Sequence, residues 1–268
     1  MSDFDKLQKR TIEDFGEQWT TFTENSGYYA STELFIDILG TLLDTGEIAG
    51  KRVLDIGSGS GRIVNMLLDC QAAHVTALEP SDAYKILKKN VSRRSEQVHL
   101  VNAPGHQIPS GKYDLAFSLG VIHHIPKPDE VMKAVYEALP AGGKFFIWVY
   151  GKEGNGAYLL IYKTLVLMTA RLSKSHIILL SKFLNLILSL YIGLCNWIPG
   201  LPLRKYVQGV LKPLAWKDRT LVIFDQLNPA YAKYYLETEV VDLFRQNGFK
   251  NIRTFHRHGY SWSAIGEK

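Results

Sequence analysis

Residues 53–62 read VLDIGSGSGR, an apolar run that ends in an acid and then alternates glycine with serine. The run has the composition of a buried strand, and RIVNMLLDC after it has the apolar spacing of a helix. A glycine-rich turn between strand and helix marks the crevice at the carboxyl end of a doubly wound sheet. Gly57, Gly59 and Gly61 let backbone approach a ligand closely there, while Arg62 stands where a dinucleotide fingerprint has its third glycine. Asp55, just before these glycines, opposes a pyrophosphate and favours a cation. Glu79 ends the next apolar run, HVTALEP, where it can accept hydrogen bonds from ribose hydroxyls. These parts fit a ligand with a ribose and an ammonium group but no phosphate.

The same rhythm extends outward from the loop. VHLVNA, YDLAFSLG and GKFFIWVY read as further strands, and Pro128 to Leu139 reads as a helix between the last two. Strands spaced by helices imply right-handed crossovers and a parallel sheet. The rhythm breaks over 157–198, which is helix-like and apolar and is closed by Pro199, Gly200 and Pro202. It resumes with a helix from about Thr238 to Gly248, and then KNIRTFHRH and YSWSAIGEK form an antiparallel edge pair about His258-Gly259. The predicted fold is α/β: a doubly wound, mainly parallel sheet with an antiparallel C-terminal strand pair and an α-helical insertion. Its expected parts are an N-terminal helical flap (1–50), a core (51–150 and 220–268) and a basic, hydrophobic insertion (151–219).

The sequence resembles the class I S-adenosylmethionine-dependent methyltransferases through DIGSGSG, LEPS, YDLAFSLGVIHHIPKPDEV and LPAGGKFFIWVYG. The resemblance covers 51–150 well and 220–268 more weakly. It implies S-adenosylmethionine as cofactor, with Asp55, Gly57, Ser58, Gly59 and Gly61 along its methionine part and Glu79 and Pro80 at the ribose. Ser118 and Leu119 would lie beneath the methyl-transfer zone, with His123 and His124 just after it. For the adenine, VNAPGHQIP supplies Asn102, His106 and Gln107 where members of the family often have an acid. IEDFGEQWTTF (12–22) resembles a Phe-Gly-x-x-Trp segment of methyltransferases from polysaccharide and natural-product pathways. Phe15 and Trp19 share a helix face, either as a flap over cofactor and substrate or as packing onto the sheet.

Methyl transfer needs the acceptor atom held in line, and a base only where a proton must leave. His123, His124 and Tyr231 are the candidate catalytic residues, although the histidine pair is often structural in the family. Tyr231 belongs to FDQLNPAYAKYY, where Asp225, Asn228, Tyr234 and Tyr235 also suit an acceptor pocket. His256 and His258 alternate along a strand and are expected to share one face, more as surface than as catalysts. Cys70 and Cys195 are the only cysteines and no metal-ligand spacing is present, so neither a disulfide framework nor a metal site is expected. A nucleotide-dependent oxidoreductase and a non-catalytic cofactor-binding module are the competing readings.

With 46% hydrophobic and 21% charged residues the chain is globular. Its N-terminus lacks the pattern of a secretory signal, and a reducing cytoplasm is the expected compartment. Charge is uneven: 151–220 holds ten Lys/Arg and two acids, net +8, and the rest of the chain nets −3. Basic residues among Leu and Ile suit a membrane surface better than nucleic acid. From Ile177 to Ile198 only Lys182 is charged, but Lys182, Asn185, Ser189, Gly193 and Asn196 fall on one stripe of a helix. A single span would separate the returning strands from their sheet. Three readings stand for 157–198: a peripheral helical pair on anionic lipid, a lid over an apolar acceptor, and a homodimer interface. The expected acceptor is a small-molecule or lipid-linked compound; the alternative is a saccharide or natural-product intermediate with the insertion as lid or dimer interface.

Overall fold

A computed structural model describes residues 3–156, 159, 169, 172–228 and 231–268. The expected helix upstream of Lys174, with Lys163 and Arg171, lies outside the described residues. The elements run α1 (Asp3–Thr21), α2 (Thr32–Leu39), β1 (Arg52–Ile56), α3 (Arg62–Asp69), β2 (His74–Leu78), α4 (Tyr84–Asn90), β3 (Val98–Val101), β4 (Leu115–Leu119), α5 (Pro128–Ala138) and β5 (Lys144–Tyr150). After these come α6 (Lys174–Trp197), α7 (Trp216–Leu227), α8 (Glu237–Gln246), β6 (Lys250–Arg257) and β7 (Ser261–Glu267). The chain divides into two compact units, Met1–Asn25 with Ala30–Gly154 and Ala230–Lys268, and Ser26–Tyr29 with Asn155–Pro229.

The first unit holds a seven-stranded sheet in the order β3-β2-β1-β4-β5-β7-β6. Strands β1 to β5 pair in parallel, while β7 runs antiparallel to both β5 and β6. Strand order reverses between β1 and β4, so their carboxyl ends open the crevice predicted at the glycine loop. All of β4 is buried, as a central strand covered on both faces must be. On one face, Leu54, Ala116, Phe145 and Ile147 pack with Val131 and Met132 of α5 and Val240 and Phe244 of α8. On the other, Phe117 meets Phe35 of α2 and Phe146 at ring-centroid distances of 5.9 and 5.7 Å.

The C-terminal pair turns through His258 and Gly259, both at positive φ (50° and 76°), and Tyr260 N–H closes the turn on the Arg257 carbonyl. That is the backbone of a tight hairpin whose twist matches its strands. It also separates the two histidines expected to share a face. His256 stacks on Trp262 at 4.1 Å, whereas His258 lies in the turn, beyond β6, and bonds Asp37 at 2.8 Å.

The second unit is helical. Val207 and Leu211, from a π-helical stretch (Val207–Leu211), pack with Ile192 and Cys195 of α6 and with Tyr28 and Tyr29. Residues 220–229, expected in the core, belong to this unit. The fully buried Asn185 of α6 donates to the Trp216 carbonyl and to Thr220 Oγ1, both at 2.8 Å, and so ties α7 to α6.

Arg257, buried at the end of β6, pairs with Asp37 of α2 and bonds the Tyr260 hydroxyl. Removing one partner of a buried pair leaves an uncompensated charge, whereas replacing both with apolar residues does not. Asp37→Ala is therefore expected to lower stability by about 3 kcal/mol in urea unfolding, with Asp37→Leu/Arg257→Met recovering most of the loss.

Candidate active site

The loop after β1 is shaped by what surrounds each glycine. Gly57 has φ 75°, and a Cβ there would come within 2.5 Å of Val121. Gly59 has φ 52°, and a Cβ there would lie 2.9 Å from the Trp19 indole nitrogen. Both the left-handed backbone and the close approach exclude side chains. Gly57 and Ser58 N–H groups donate to the Leu78 carbonyl at 2.9 Å, and the Gly59 N–H donates to Glu79 Oε2 at 2.8 Å. The loop is thus strapped to the end of β2.

Glu79 is buried, and its other oxygen accepts from the Ser81 N–H at 2.9 Å and from the Ser81 hydroxyl. Burial raises its pKa, against the lowering effect of these hydrogen bonds. A carboxylate offers about four acceptor sites; Gly59 of the loop takes one and Ser81, after β2, takes two. A ribose would therefore share this carboxylate with the loop. Asn102 donates to the Glu79 carbonyl at 2.7 Å and steadies the same corner, next to Pro80.

Asp55 differs. It is buried on β1, and its Oδ2 has no hydrogen-bond partner among the described residues. Burial pushes its carboxyl up to about 7, with the Ser58 hydrogen bond acting to lower it and Glu79 to raise it. A buried carboxylate with one oxygen unpartnered suits a ligand that brings a positive charge, and would oppose a pyrophosphate. The residues therefore fit the aminoacyl end of S-adenosylmethionine. At the end of β4, Ser118 is buried with its hydroxyl donating to the Ile56 carbonyl at 3.3 Å, and Leu119 is buried beside it.

Helix α1 packs onto the glycine loop and the turn after β4, and Phe15, Gly16 and Trp19 of FGEQW each have a place. Phe15 meets His124 edge-on at 4.6 Å. Gly16 lets the helix pass the Ser81-Asp82 backbone, where a Cβ would sit 3.1 Å from Ser81 Cβ. Trp19 covers Gly59. Asn25 Nδ2 then donates to the Ser60 carbonyl and Ser60 Oγ to Asn25 Oδ1, at 2.8 and 2.7 Å, and Asn90 bridges the Thr23 and Ser60 carbonyls. Asn25 and Asn90 carry no sign in the sequence, and Gly16 and Ser81, within Phe-Gly-x-x-Trp and LEPS, are given no contact there; a glycine inside a helical pattern is the readable sign of close approach.

His123 and His124 sit on a 3-10 turn (Ile122–His124) facing the returning chain. His123 is fully buried, with centroids 3.9 Å from Tyr150 and 4.1 Å from His124, and neither ring nitrogen has a hydrogen-bond partner among the described residues. Burial and His124 hold its pKa well below the ordinary value, so the ring is neutral. His124 Nδ1 lies 2.8 Å from the Tyr231 carbonyl, and a neutral ring must donate there, which leaves the lone pair on Nε2. Lys233 N–H donates to the His123 carbonyl at 2.8 Å, and Tyr235 N–H to the Tyr150 carbonyl at 2.9 Å. Tyr231 thus meets His124 through its backbone carbonyl. Its side chain lines a cavity of about 340 Å³ with Asp129, Lys233 and Glu239, whose lining includes neither the glycine loop nor Asp55 or Glu79.

Between its ordinary 3.8 and about 7, Asp55 keeps a proton in the folded chain that the unfolded chain has released. Stability therefore falls as pH rises through that interval and levels off above it. Relative to Asp55→Asn, the wild-type chain should lose about 2 kcal/mol between about pH 5 and about pH 7.5 in urea unfolding.

Comparison with known proteins agrees with this geometry. A family model described as a methyltransferase domain matches residues 28–254. Among curated proteins, the chain is 30% identical over 132 residues to phosphoethanolamine N-methyltransferase 2 of Caenorhabditis elegans, covering 47% of this chain and 30% of that protein. It is 30% identical over 109 residues to the ubiquinone biosynthesis O-methyltransferase of Marinobacter nauticus, covering 37% and 44%. The chain thus spans less than half the length of these two relatives. The structure of the 1,6-didemethyltoxoflavin-N1-methyltransferase of Burkholderia thailandensis, with bound 1,6-didemethyltoxoflavin and S-adenosylhomocysteine, superposes with a TM-score of 0.57 at 15% identity, covering 100% of this chain and 91% of that one. That likeness is one of fold. The family match is broader in its meaning, since it runs from before β1 into β6 through the glycine loop and the helical unit alike, and it places this chain in the methyltransferase domain family.

Proposed function

We propose that this chain transfers a methyl group from S-adenosylmethionine to a small, apolar or lipid-linked acceptor, in the cytoplasm and at the periphery of a membrane. The observation that carries the cofactor half is the buried Asp55 carboxylate, one oxygen unpartnered, beneath a glycine loop that Trp19 caps. When bound, the cofactor supplies a methyl group on a sulfonium, activated for in-line displacement. Asp55 balances the positive charge of the aminoacyl end, Glu79 accepts from the ribose while holding the Gly59 N–H, and Phe15 and Trp19 exclude water from above.

His124 is the proton acceptor in this reading. Its Nδ1 is engaged by the Tyr231 carbonyl and its Nε2 carries the lone pair. His123 has another part: fully buried and neutral, it fills the space between Tyr150 and His124 and fixes the second ring's position. The apolar acceptor rests on the composition of residues 172–198. A second copy of the chain covering these residues is the competing account of the same apolar surface.

Two measurements test this reading. In a thermal-shift comparison, S-adenosylhomocysteine should raise the melting temperature and NAD should not; the reverse order would assign the crevice to a dinucleotide. With a phenolic or lipid-linked hydroxyl acceptor, His124→Gln should lower kcat about a hundredfold, whereas His123→Phe, which keeps the ring packing, should stay within about threefold of wild type. Equal losses in the two variants would remove His124 as the base.

A further inference from the structure

Helix α6 leaves a long apolar stripe exposed. Leu179, Phe183, Leu186, Leu190, Leu194 and Trp197 recur at steps of four and three, so they form one stripe of the helix. All are exposed: Phe183 by 57%, Leu190 by 66% and Trp197 by 85%. The opposite face is buried: Ile177, Ile192 and Cys195 lie on it with Ser181 and Asn185, the one residue of the expected polar stripe that is buried, while Lys182 and Asn196 stay exposed. Ser181 and Asn185 are fully buried. Arg219 of α7 donates from Nε to Asn185 Oδ1 at 3.2 Å and from Nη2 to Ser189 Oγ at 3.4 Å. Asn196 accepts from Gln208 and Lys212 at 3.1 and 2.9 Å. A helix of a water-soluble fold turns its apolar stripe inward; α6 leaves a six-residue apolar stripe outside and seats two polar side chains, Ser181 and Asn185, inside, with the Asn185 amide fully hydrogen-bonded.

Charge and depth select what covers the stripe. Lys182 is the helical neighbour of both Leu179 and Leu186, and Lys212 reaches the residue beside Trp197, so cations flank the stripe at both ends. Residues 172–228 contain seven Lys/Arg against Asp218 and Asp225, and Asp218 is buried. A second copy packed stripe on stripe would bring these cations together, whereas anionic headgroups neutralise them. Trp197 and Trp216, both exposed, are the residue type that settles at a headgroup boundary.

The helix is also long enough to span, with mean hydropathy 2.0 over its most apolar 18 residues. Spanning would place Asn185 and the Arg219 guanidinium bonded to it near mid-bilayer, the most costly depth for such groups. Lying flat keeps them above the hydrocarbon.

We propose that α6 lies in the plane of a bilayer containing anionic lipid, with the Leu179–Trp197 stripe in the acyl boundary and Lys182 and Lys212 at the headgroups. This sharpens the membrane setting of the proposed function, but its test does not require methyl transfer. The full chain is floated with vesicles of phosphatidylglycerol and phosphatidylcholine, or of phosphatidylcholine alone. S-Adenosylhomocysteine binding and light-scattering mass are measured on the same samples. Wild type should float with the anionic vesicles, less with the neutral ones, and be released by alkaline carbonate. Phe183→Glu/Leu190→Glu should lose about tenfold or more of that binding with ligand affinity unchanged, and Lys182→Glu should lose the preference for anionic lipid. Wild type left behind by both vesicle types overturns the proposal. So does a solution dimer that Phe183→Glu/Leu190→Glu converts to monomer, which would assign the stripe to a second copy. Resistance to carbonate would make α6 a span and overturns the in-plane geometry. Loss of ligand binding in wild type with flotation intact would instead sink the cofactor reading alone.

Discussion

The hydrogen bond from the Gly59 N–H to Glu79 Oε2 is the interaction on which the rest of the site depends. It fixes a loop of left-handed glycines to the end of β2, at the point where strand order reverses. With the loop so held, backbone rather than side chain faces the crevice, Trp19 can rest directly on Gly59, and α1 can cross at Gly16. The same bond keeps a buried carboxylate satisfied, so that the unsatisfied acid of the pair is Asp55. Glu79 is therefore largely committed to architecture, while one oxygen of Asp55 is left entirely for a ligand. Their environments diverge although both are buried, because Glu79 meets N–H donors of a turn and Asp55 Oδ2 meets none among the described residues.

Much of the fold was legible because local and long-range signals coincide in the core. The VLDIGSGSGR run specifies strand, turn and helix together, and the apolar runs of β2, β4 and β5 have no alternative but a doubly covered sheet. Assigning 220–229 to the core failed for a specific reason: α7 has ordinary helical spacing, and what joins it to the helical unit is long-range, the Asn185 and Ser189 bonds to Thr220 and Arg219 and the packing of Val222. The facing of His256 and His258 failed because alternation was continued past Arg257 into a turn.

Within the site, glycines and acids were legible because their chemistry is written in residue type and spacing. The partners of Glu79 were not, since Ser81 and the Gly59 N–H are ordinary until the loop closes on them. Nor was the contrast between the histidines. Adjacent in sequence, they part company because His123 enters the stack against Tyr150 while His124 finds the Tyr231 carbonyl. The polar stripe of α6 was seen, but not that Asn185 alone of it is buried: sequence periodicity gives faces without saying which residue of one looks inward.

The central claim is that Asp55 waits, largely uncompensated, for a cation. Calorimetric titration of the full chain with S-adenosylhomocysteine near pH 7, in buffers of different ionisation enthalpy, tests it most directly. With the free carboxyl at about 7, pairing with the ligand's ammonium should lower its pKa and release about half a proton per ligand bound, and Asp55→Asn should abolish that release. Binding with no proton release in wild type, or the same release in Asp55→Asn, would contradict it.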